Sequence, residues 1–399
     1  MRVLCLNQFF DPDESATAQF LTDVAAELLR RGHSVEVICG RAVYAQGNAR
    51  LPESGTLRVH RVGPEGKHRP GVLGKALDYA AFGAAAGRAI SSLGAFDVLV
   101  CLSTPPLLPA LAARASRQGS GRLVLWTQDV YPEIAETLGV LPKIFGPLLR
   151  APMRRAYHAA ELLAVPGRHM AERFERDYGV DPGRMDVIPH WPPYGAAPHG
   201  AGEKFRRDRG WQNSFVLLYS GNLGRAHDVS TFLEAYQRFC AAPGAARPIL
   251  VFAGTGAGRA QVARFAAEHS ECPVELLDHQ PRESLPELLG AADVHLISQR
   301  PEVDGLLVPS KLYGILGSGR PFCFVGTERN EIADVLALAE CGCRVEPGRA
   351  AELAARWREL AGDKGMRERM GEAAAALART RFSREATLER LVGALERVG

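Results

Sequence analysis

Residues 1–40 read MRVLCLNQFFDPDESATAQFLTDVAAELLRRGHSVEVICG, and their order decides the fold. Arg2 to Asn7 form a short apolar run, the pattern of a strand buried on both faces. A polar turn, Asp11 to Thr17, follows. It opens TAQFLTDVAAELLRRG, whose apolar residues recur at helical spacing and which Gly32 stops. HSVEVICG then supplies a second apolar strand. Strand, loop, helix and strand in this order predict a right-handed parallel unit. In open parallel sheets ligands bind beyond the C-terminal ends of the strands, so the Asp11–Thr17 loop lies on the functional edge. Ser15 and Thr17 are candidate acceptor-binding groups there, and equally plain caps of the helix. The loop lacks G-x-G-x-x-G, so the dinucleotide fingerprint is absent.

The alternation continues along the chain. Strands are expected at FDVLVCLS (96–103), RLVLWTQD (122–129), LLAVPG (162–167) and MDVIPH. RLVLWTQD ends in Asp129, followed by Val-Tyr-Pro-Glu133. A carboxylate at a strand's C-terminal end sits where catalytic groups are found; a helix cap is the structural alternative. After His190 the composition shifts. WPPYGAAPHGAGEK holds three prolines and three glycines in fourteen residues and reads as an inter-domain linker. A second set of strands is then expected at FVLLYSG, PILVFAG, VELLD, DVHLIS and PFCFV. The expected organisation is a first domain over 1–195, a second over 196–380, and a terminal helix over 381–399 returning to the first.

Three strand ends of the second half have the build of an anion site. FVLLYSG ends in Gly221-Asn222-Leu223-Gly224-Arg225, where glycines let a ligand approach the backbone. PILVFAG ends in Gly254-Thr255-Gly256. PEVDGLLVPSKLYGILGSGRP (301–321) joins DVHLIS to a helix through Pro309-Ser310-Lys311. Free N–H groups at a helix start favour an anion, and Lys311 adds a full charge.

The bulk numbers exclude several classes. The chain has 399 residues and a net charge of +3, too small to point to nucleic acid. Residues 1–195 hold 22 Lys/Arg against 19 Asp/Glu, and the rest 26 against 26, so the excess is in the first half. It concentrates in two amphipathic segments. Residues 58–90 carry Arg58, Arg61, Lys67, Arg69, Lys75 and Arg88, with an apolar stripe of Leu73, Leu77, Ala80, Ala81 and Ala84. Residues 142–158 carry four cations and no acid. Such faces suit an anionic membrane or an ordinary solvated helix. No apolar run reaches the ~18 residues of a membrane span. MRVLCLNQFF is too short for a secretory core, which with eight scattered cysteines suggests buried thiols in a reducing cytoplasm. No zinc-type spacing occurs.

FFDPDESATAQFLTDVAAELLRRGHSVEVIC, LSTPPLLP, WTQDVYPEIAETLG, VIPHW, LLYSGNLGRAHDVSTFLEA, VFAGTGAG and VPSKLYGILGSGRPF together resemble glycosyltransferase family 4, in its branch of surface and exopolysaccharide biosynthesis. The resemblance covers nearly the whole chain, and Val-Pro-Ser-Lys-Leu-Tyr-Gly is its most specific part. It implies an α/β GT-B fold of two facing Rossmann-like domains. It implies retaining, metal-independent transfer from a UDP- or GDP-sugar to a lipid-linked saccharide, with no resident cofactor; the basic segments 67–88 and 142–158 add the expectation of peripheral attachment to the inner face of the plasma membrane. Mapped onto this chain, the donor would contact Gly221, Asn222, Gly224, Arg225, Gly254, Gly256, Ser310 and Lys311. Its base would meet His279, Gln280 and Pro281 in the Asp278–Pro281 turn. Asp129 would contact the reacting hydroxyl.

Two departures stand out. Where the family has a cationic pair in the first turn of the second domain, this chain has Asn222 and His227. Where the family has paired glutamates, it has Leu306 and Gly314, leaving Glu302 and Asp304 as nearby substitutes for the sugar contact. A sugar-nucleotide 2-epimerase of the same fold, or a non-catalytic sugar-nucleotide-binding partner, are the alternatives.

Overall fold

The computed structural model describes residues 1–41, 51, 55–65, 69, 71–194, 200–242 and 247–399. Lys67, the expected domain joint at 195/196 and part of the Pro/Gly-rich linker lie outside the described residues. The chain divides into two compact units. Unit 1 comprises Met1–His190, Gly305–Val308 and Glu385–Gly399, and unit 2 comprises Trp191–Asp304 and Pro309–Arg384.

Unit 1 is built on strands β1 (Arg2–Leu6), β2 (Ser34–Cys39), β3 (Leu57–Arg61), β4 (Val98–Leu102), β5 (Arg122–Trp126), β6 (Leu162–Val165) and β7 (Met185–Val187). They form one parallel sheet in the order β3-β2-β1-β4-β5-β6-β7. Cys5 pairs with Val37 on one side and Val100 on the other. The central strands are buried on both faces, which is why they read as unbroken apolar runs. The helices are α1 (Ala16–Arg30), α2 (Gly71–Leu93), α3 (Leu108–Ala115), α4 (Glu133–Thr137), α5 (Gly146–Ala159) and α6 (Arg168–Arg173). Right-handed crossovers place α1 on one face of the sheet. They place α2, α3 and α5, whose connections run the other way, on the opposite face.

Unit 2 repeats the plan with β8 (Phe215–Ser220), β9 (Pro248–Ala253), β10 (Val274–Leu277), β11 (Val294–Ser298), β12 (Phe322–Val325) and β13 (Gly342–Val345). Their parallel order is β10-β9-β8-β11-β12-β13. Its helices are α7 (Ala201–Arg209), α8 (Ser230–Cys240), α9 (Arg259–Glu268), α10 (Leu285–Gly290), α11 (Lys311–Ser318), α12 (Glu331–Leu338), α13 (Ala350–Gly362) and α14 (Lys364–Thr380). Strand order reverses between β1 and β4 in unit 1 and between β8 and β11 in unit 2. Both are topological switch points, where open sheets bind ligands.

Three sequence expectations need correction. β3 and β13 were not expected as strands. LRVHR alternates apolar with charged residues at a sheet edge, and GCRV is a four-residue edge strand, so neither carries an apolar run. The expected stripe of α2 is its outer side: Leu73, Leu77, Ala80, Ala81 and Ala84 are all exposed. The buried row is Asp78, Phe82, Ala86 and Ile90. This helix is apolar nearly all round, so periodicity does not single out the face that packs.

The last helix, α15 (Arg384–Val398), lies on unit 1. It buries Leu388, Leu391, Val392 and Leu395. Arg31, just past α1, bonds Glu27 at 2.9 Å and Glu396 at 3.0 Å, and also meets Glu389; His33 meets Glu396 at 2.8 Å. These ion pairs are partly exposed and set the helix's register more than its stability. The apolar row holds it. Leu395→Ala is therefore expected to destabilise unit 1 by about 2–5 kcal/mol, read from denaturant unfolding. Arg31→Ala should cost about 1 kcal/mol or less.

Candidate functional site

The site of unit 2 starts from glycine. β8 ends at Ser220 and β9 at Ala253, and the turns beyond them run against each other. Gly221 N–H donates to Ala253 O at 2.8 Å, Leu223 N–H to Thr255 O at 2.7 Å, and Gly258 N–H to Leu223 O at 2.9 Å. A Cβ on Gly254 (φ +131°) would overlap the Gly221 carbonyl, and one on Gly256 (φ +123°) would stand 2.5 Å from Leu223 O. Both positions require glycine on space and conformation together. The turns expected separately at 221–225 and 254–256 are thus one backbone surface.

Lys311, the first residue of α11, reaches that surface. A Cβ on Gly221 would lie 3.6 Å from Lys311 Cε and 3.8 Å from Nζ. The ammonium stands 3.7 Å from the centroid of the Tyr219 ring and donates to the Tyr219 hydroxyl. That hydroxyl in turn donates to Asn222 O at 3.0 Å. Tyr219 is held by Phe252 at 5.5 Å and Phe232 at 6.4 Å between ring centroids, and by His227 edge-on at 5.8 Å. Burial lowers the Lys311 ammonium well below the ordinary lysine range. An anion beside it reverses that bias.

His227 carries no charge here. Burial, helped by Lys311, pushes its ring down to about 3. Its Nδ1 faces Ser298 O at 2.5 Å, so that nitrogen bears the proton. The cation in this turn is therefore Lys311, with Arg225 exposed beyond it.

The other expected donor residues divide. His279 and Pro281 are exposed at the end of β10, and Gln280 donates to Asp278 O at 3.0 Å. Sequence reading missed Arg259, which joins this turn to the glycines. It donates to Gly254 O at 2.8 Å and Leu277 O at 2.7 Å and pairs with Asp278 at 3.1 Å. Ser310 stands at the N-cap of α11 with helical dihedrals and no side-chain cap bond. Glu302 pairs on the surface with Arg300 at 3.3 Å. The Asp304 carboxylate accepts from Gln299 at 3.2 Å, from Asn330 at 2.8 Å and from the Thr327 hydroxyl. That network organises its own loop. Leu306, where a glutamate is usual, is fully buried.

In unit 1, Ser15 caps α1, accepting from Ala18 N–H at 3.3 Å, and Thr17 lies half-buried in the first turn. Asp129 is not a cap: α4 begins after Pro132, with no side-chain cap bond. Its backbone is fixed instead. Asp129 and Gln128 N–H both donate to Ser103 Oγ, at 3.1 and 3.0 Å, where β4 ends. Asp129 also bridges antiparallel to Leu307, and Val130 N–H donates to Leu306 O at 2.8 Å. Burial pushes the Asp129 carboxyl up to about 6.

Comparison with known proteins then places the chain. The model described as Glycosyltransferase Family 4 matches residues 17–191, and that described as Glycosyl transferases group 1 matches residues 202–377. WcaI of Escherichia coli (strain K12), named for glycosyl transfer in colanic acid biosynthesis, is 24% identical over 340 residues, 80% of this chain and 82% of WcaI. WbjE of Pseudomonas aeruginosa, named as a glycosyltransferase, is 28% identical over 267 residues, 64% of each protein. Among solved structures, Anabaena HepE, seen with UDP and with UDP-glucose, aligns over 100% of both chains with a TM-score of 0.72 and 17% identity. WaaG, of lipopolysaccharide biosynthesis, aligns over 98% of this chain and 100% of its own with a TM-score of 0.71 and 18% identity. At such identities the structures establish the fold, which is GT-B.

A raised carboxyl pKa makes a definite prediction. Asp129 contributes stability that is present below pH ~4 and lost as pH rises through about 6, by at most about 3 kcal/mol. Asp129→Asn should therefore raise the melting temperature at pH 8 by several degrees and leave it nearly unchanged at pH 4. An equal shift at both pH values would remove burial of the charge as the cause.

Proposed function

The chain belongs to glycosyltransferase family 4, and from that premise we propose that it moves a sugar from a UDP- or GDP-sugar to a lipid-linked saccharide in polysaccharide biosynthesis, retaining the anomeric configuration. The observation that carries this reading is the meeting of the Gly221–Gly224 and Gly254–Gly256 turns with Lys311 on Tyr219. A diphosphate needs close backbone approach and a cation, and this corner of unit 2 has glycine turns and an ammonium side by side. The UDP and UDP-glucose complexes of HepE support a nucleotide-sugar donor. The name of WcaI supports polysaccharide as the product class.

In this reading the leaving-group charge builds on the β-phosphate as the glycosidic bond breaks. Lys311, at the start of α11, stabilises it there, without a metal. Loss of one such donor typically costs about 10²–10³ in rate. Lys311→Ala is thus expected to lose about that much transfer while its melting profile stays near wild type. Near-normal turnover would sink the assignment. Tyr219→Phe keeps the ring under the ammonium and removes the hydroxyl. It should fall between wild type and Lys311→Ala, by about tenfold, because a hydrogen bond to a charged group is typically worth 1.5–3 kcal/mol.

Asp129 is the group we assign to the acceptor hydroxyl. Titrating near 6, it ionises within the working range, and only the ionised form can take up the proton of that hydroxyl as a base. Turnover should therefore rise with pH through about 6. Asp129→Asn should flatten this limb and lower turnover far more than donor affinity.

The missing glutamates keep a second reading in view, that of a sugar-nucleotide-binding partner without catalysis. Incubation with UDP- and GDP-sugars, with and without a lipid-linked acceptor, separates the readings. Acceptor-dependent nucleotide release supports transfer, interconversion without acceptor an epimerase, and binding alone a partner. Attachment to the cytoplasmic face of the membrane follows from a lipid-linked acceptor. Among the described residues no helix is long and apolar enough to cross a bilayer.

A further inference from the structure

The four cations of residues 142–158 are not equivalent. Arg150 is turned inward, paired with Glu133 at 2.9 Å and with Glu136. Arg154 and Arg155, on the outer side of α5, have no carboxylate partner among the described residues, and neither has Arg117, just beyond α3. These three guanidinium groups line one shallow, open hollow of about 530 Å³ between α3 and α5, together with Ala151, His158 and Ala159. The His158 ring faces Tyr178 O at 3.0 Å, which fixes it as part of the hollow's wall. Three unpaired guanidiniums around small apolar residues have the composition of an anion site. Their planar forks match phosphate oxygens two at a time.

The same helix shows what carries the phosphate. Ile144 is 81% exposed, Phe145 51% and Leu148 72%, making an apolar ridge where the chain enters α5. Leu148, Ala151 and Arg155 follow at helical spacing, so ridge and hollow share one face. Leu148 and Arg155 are seven residues apart, roughly 10 Å along the axis. Amphipathic helices lie in the plane of a membrane surface, with the apolar face buried by about 5–10 Å and neighbouring cations among the headgroups. A soluble anion would explain the arginines and leave the ridge without a use.

We propose that Arg117, Arg154 and Arg155 form a phosphate-binding hollow for the headgroups of anionic lipid, engaged when the Ile144–Leu148 ridge enters the bilayer interface. The inference rests on the membrane-delivered acceptor of the proposed function, and gives that membrane contact its residues. It also separates this face from the outer side of α2. The α2 face exposes Val72 and Leu73 but is not joined to the hollow by any contact on which the proposal draws.

Flotation of the full chain with vesicles tests it. One vesicle set is neutral phosphatidylcholine, and the other is the same lipid doped with phosphatidylglycerol. Wild type is expected to float with the anionic set and hardly with the neutral one. Each of Arg117→Ala, Arg154→Ala and Arg155→Ala should weaken partition about fivefold, and the triple variant more than a hundredfold. Ile144→Ser with Leu148→Ser should weaken it comparably without altering its dependence on lipid charge. Melting curves check that the surface variants are folded. Undiminished flotation of the triple variant overturns the site. Pyrophosphate binding that the triple variant loses, in a wild type that ignores both vesicle sets, assigns the hollow to a soluble phosphate and overturns the lipid. Flotation involves no sugar transfer, so its failure leaves the transferase reading standing. Loss of transfer by a variant that still floats bears on that reading alone.

Discussion

The Lys311 ammonium rests on the Tyr219 ring where two glycine turns touch, and most of unit 2 is arranged to keep it there. The contact needs three things at once. The Gly221 and Gly254 turns must approach without side chains. Tyr219 must be locked by its aromatic neighbours so that its hydroxyl points at Asn222 O. α11 must begin at Lys311, so that the side chain leaves the helix over the switch point between β8 and β11. A flexible lysine stem loses much of its freedom in this seat. That ordering is made on folding rather than on binding, which is the preorganisation that the proposed function asks of a site meeting developing charge. Burial also lowers the ammonium's proton affinity in the free protein, so an arriving anion and the charge on Lys311 favour each other.

Unit 1 uses a different device. Its edge of the sheet presents a carboxylate rather than a cation, and its backbone is pinned from two sides. The Ser103 hydroxyl takes two N–H groups, and the Gly305–Val308 strip pairs with Asp129 and Val130. Leu306 lies fully buried in that strip. The departure from the usual glutamate is thus a packing residue here. Asp304, on the same loop, holds together Gln299, Thr327 and Asn330. In the proposed function, the charge for a donor would fall to fewer groups than in a typical member of the family, and chiefly to Lys311.

Much of this was readable from residues. Among the described residues, eleven of the thirteen strands were expected, and the central ones read as apolar runs because they are buried on both faces. The glycine turns and Pro309-Ser310-Lys311 were visible as strand ends. What could not be read was contact between distant parts of the chain. Nothing in FVLLYSG says that Tyr219 will carry a lysine from ninety residues later, nor does GAGRA say that Arg259 will tie Gly254 to Asp278. The α2 stripe misled because an alanine-rich helix offers two plausible faces, and packing decides between them. Ser15 caps α1, as one of its two readings has it, while Asp129 caps no helix.

The central claim is that Lys311 holds the second phosphate of a nucleoside diphosphate. Calorimetric titration of wild type and Lys311→Met with UDP and UMP, and with GDP and GMP, tests it without any assumption about acceptor or sugar. For whichever base binds, the account predicts that wild type prefers the diphosphate to the monophosphate by at least about tenfold, the scale of one hydrogen bond to a charged group. It predicts that Lys311→Met binds the two nearly alike. A diphosphate preference that survives the substitution would contradict it.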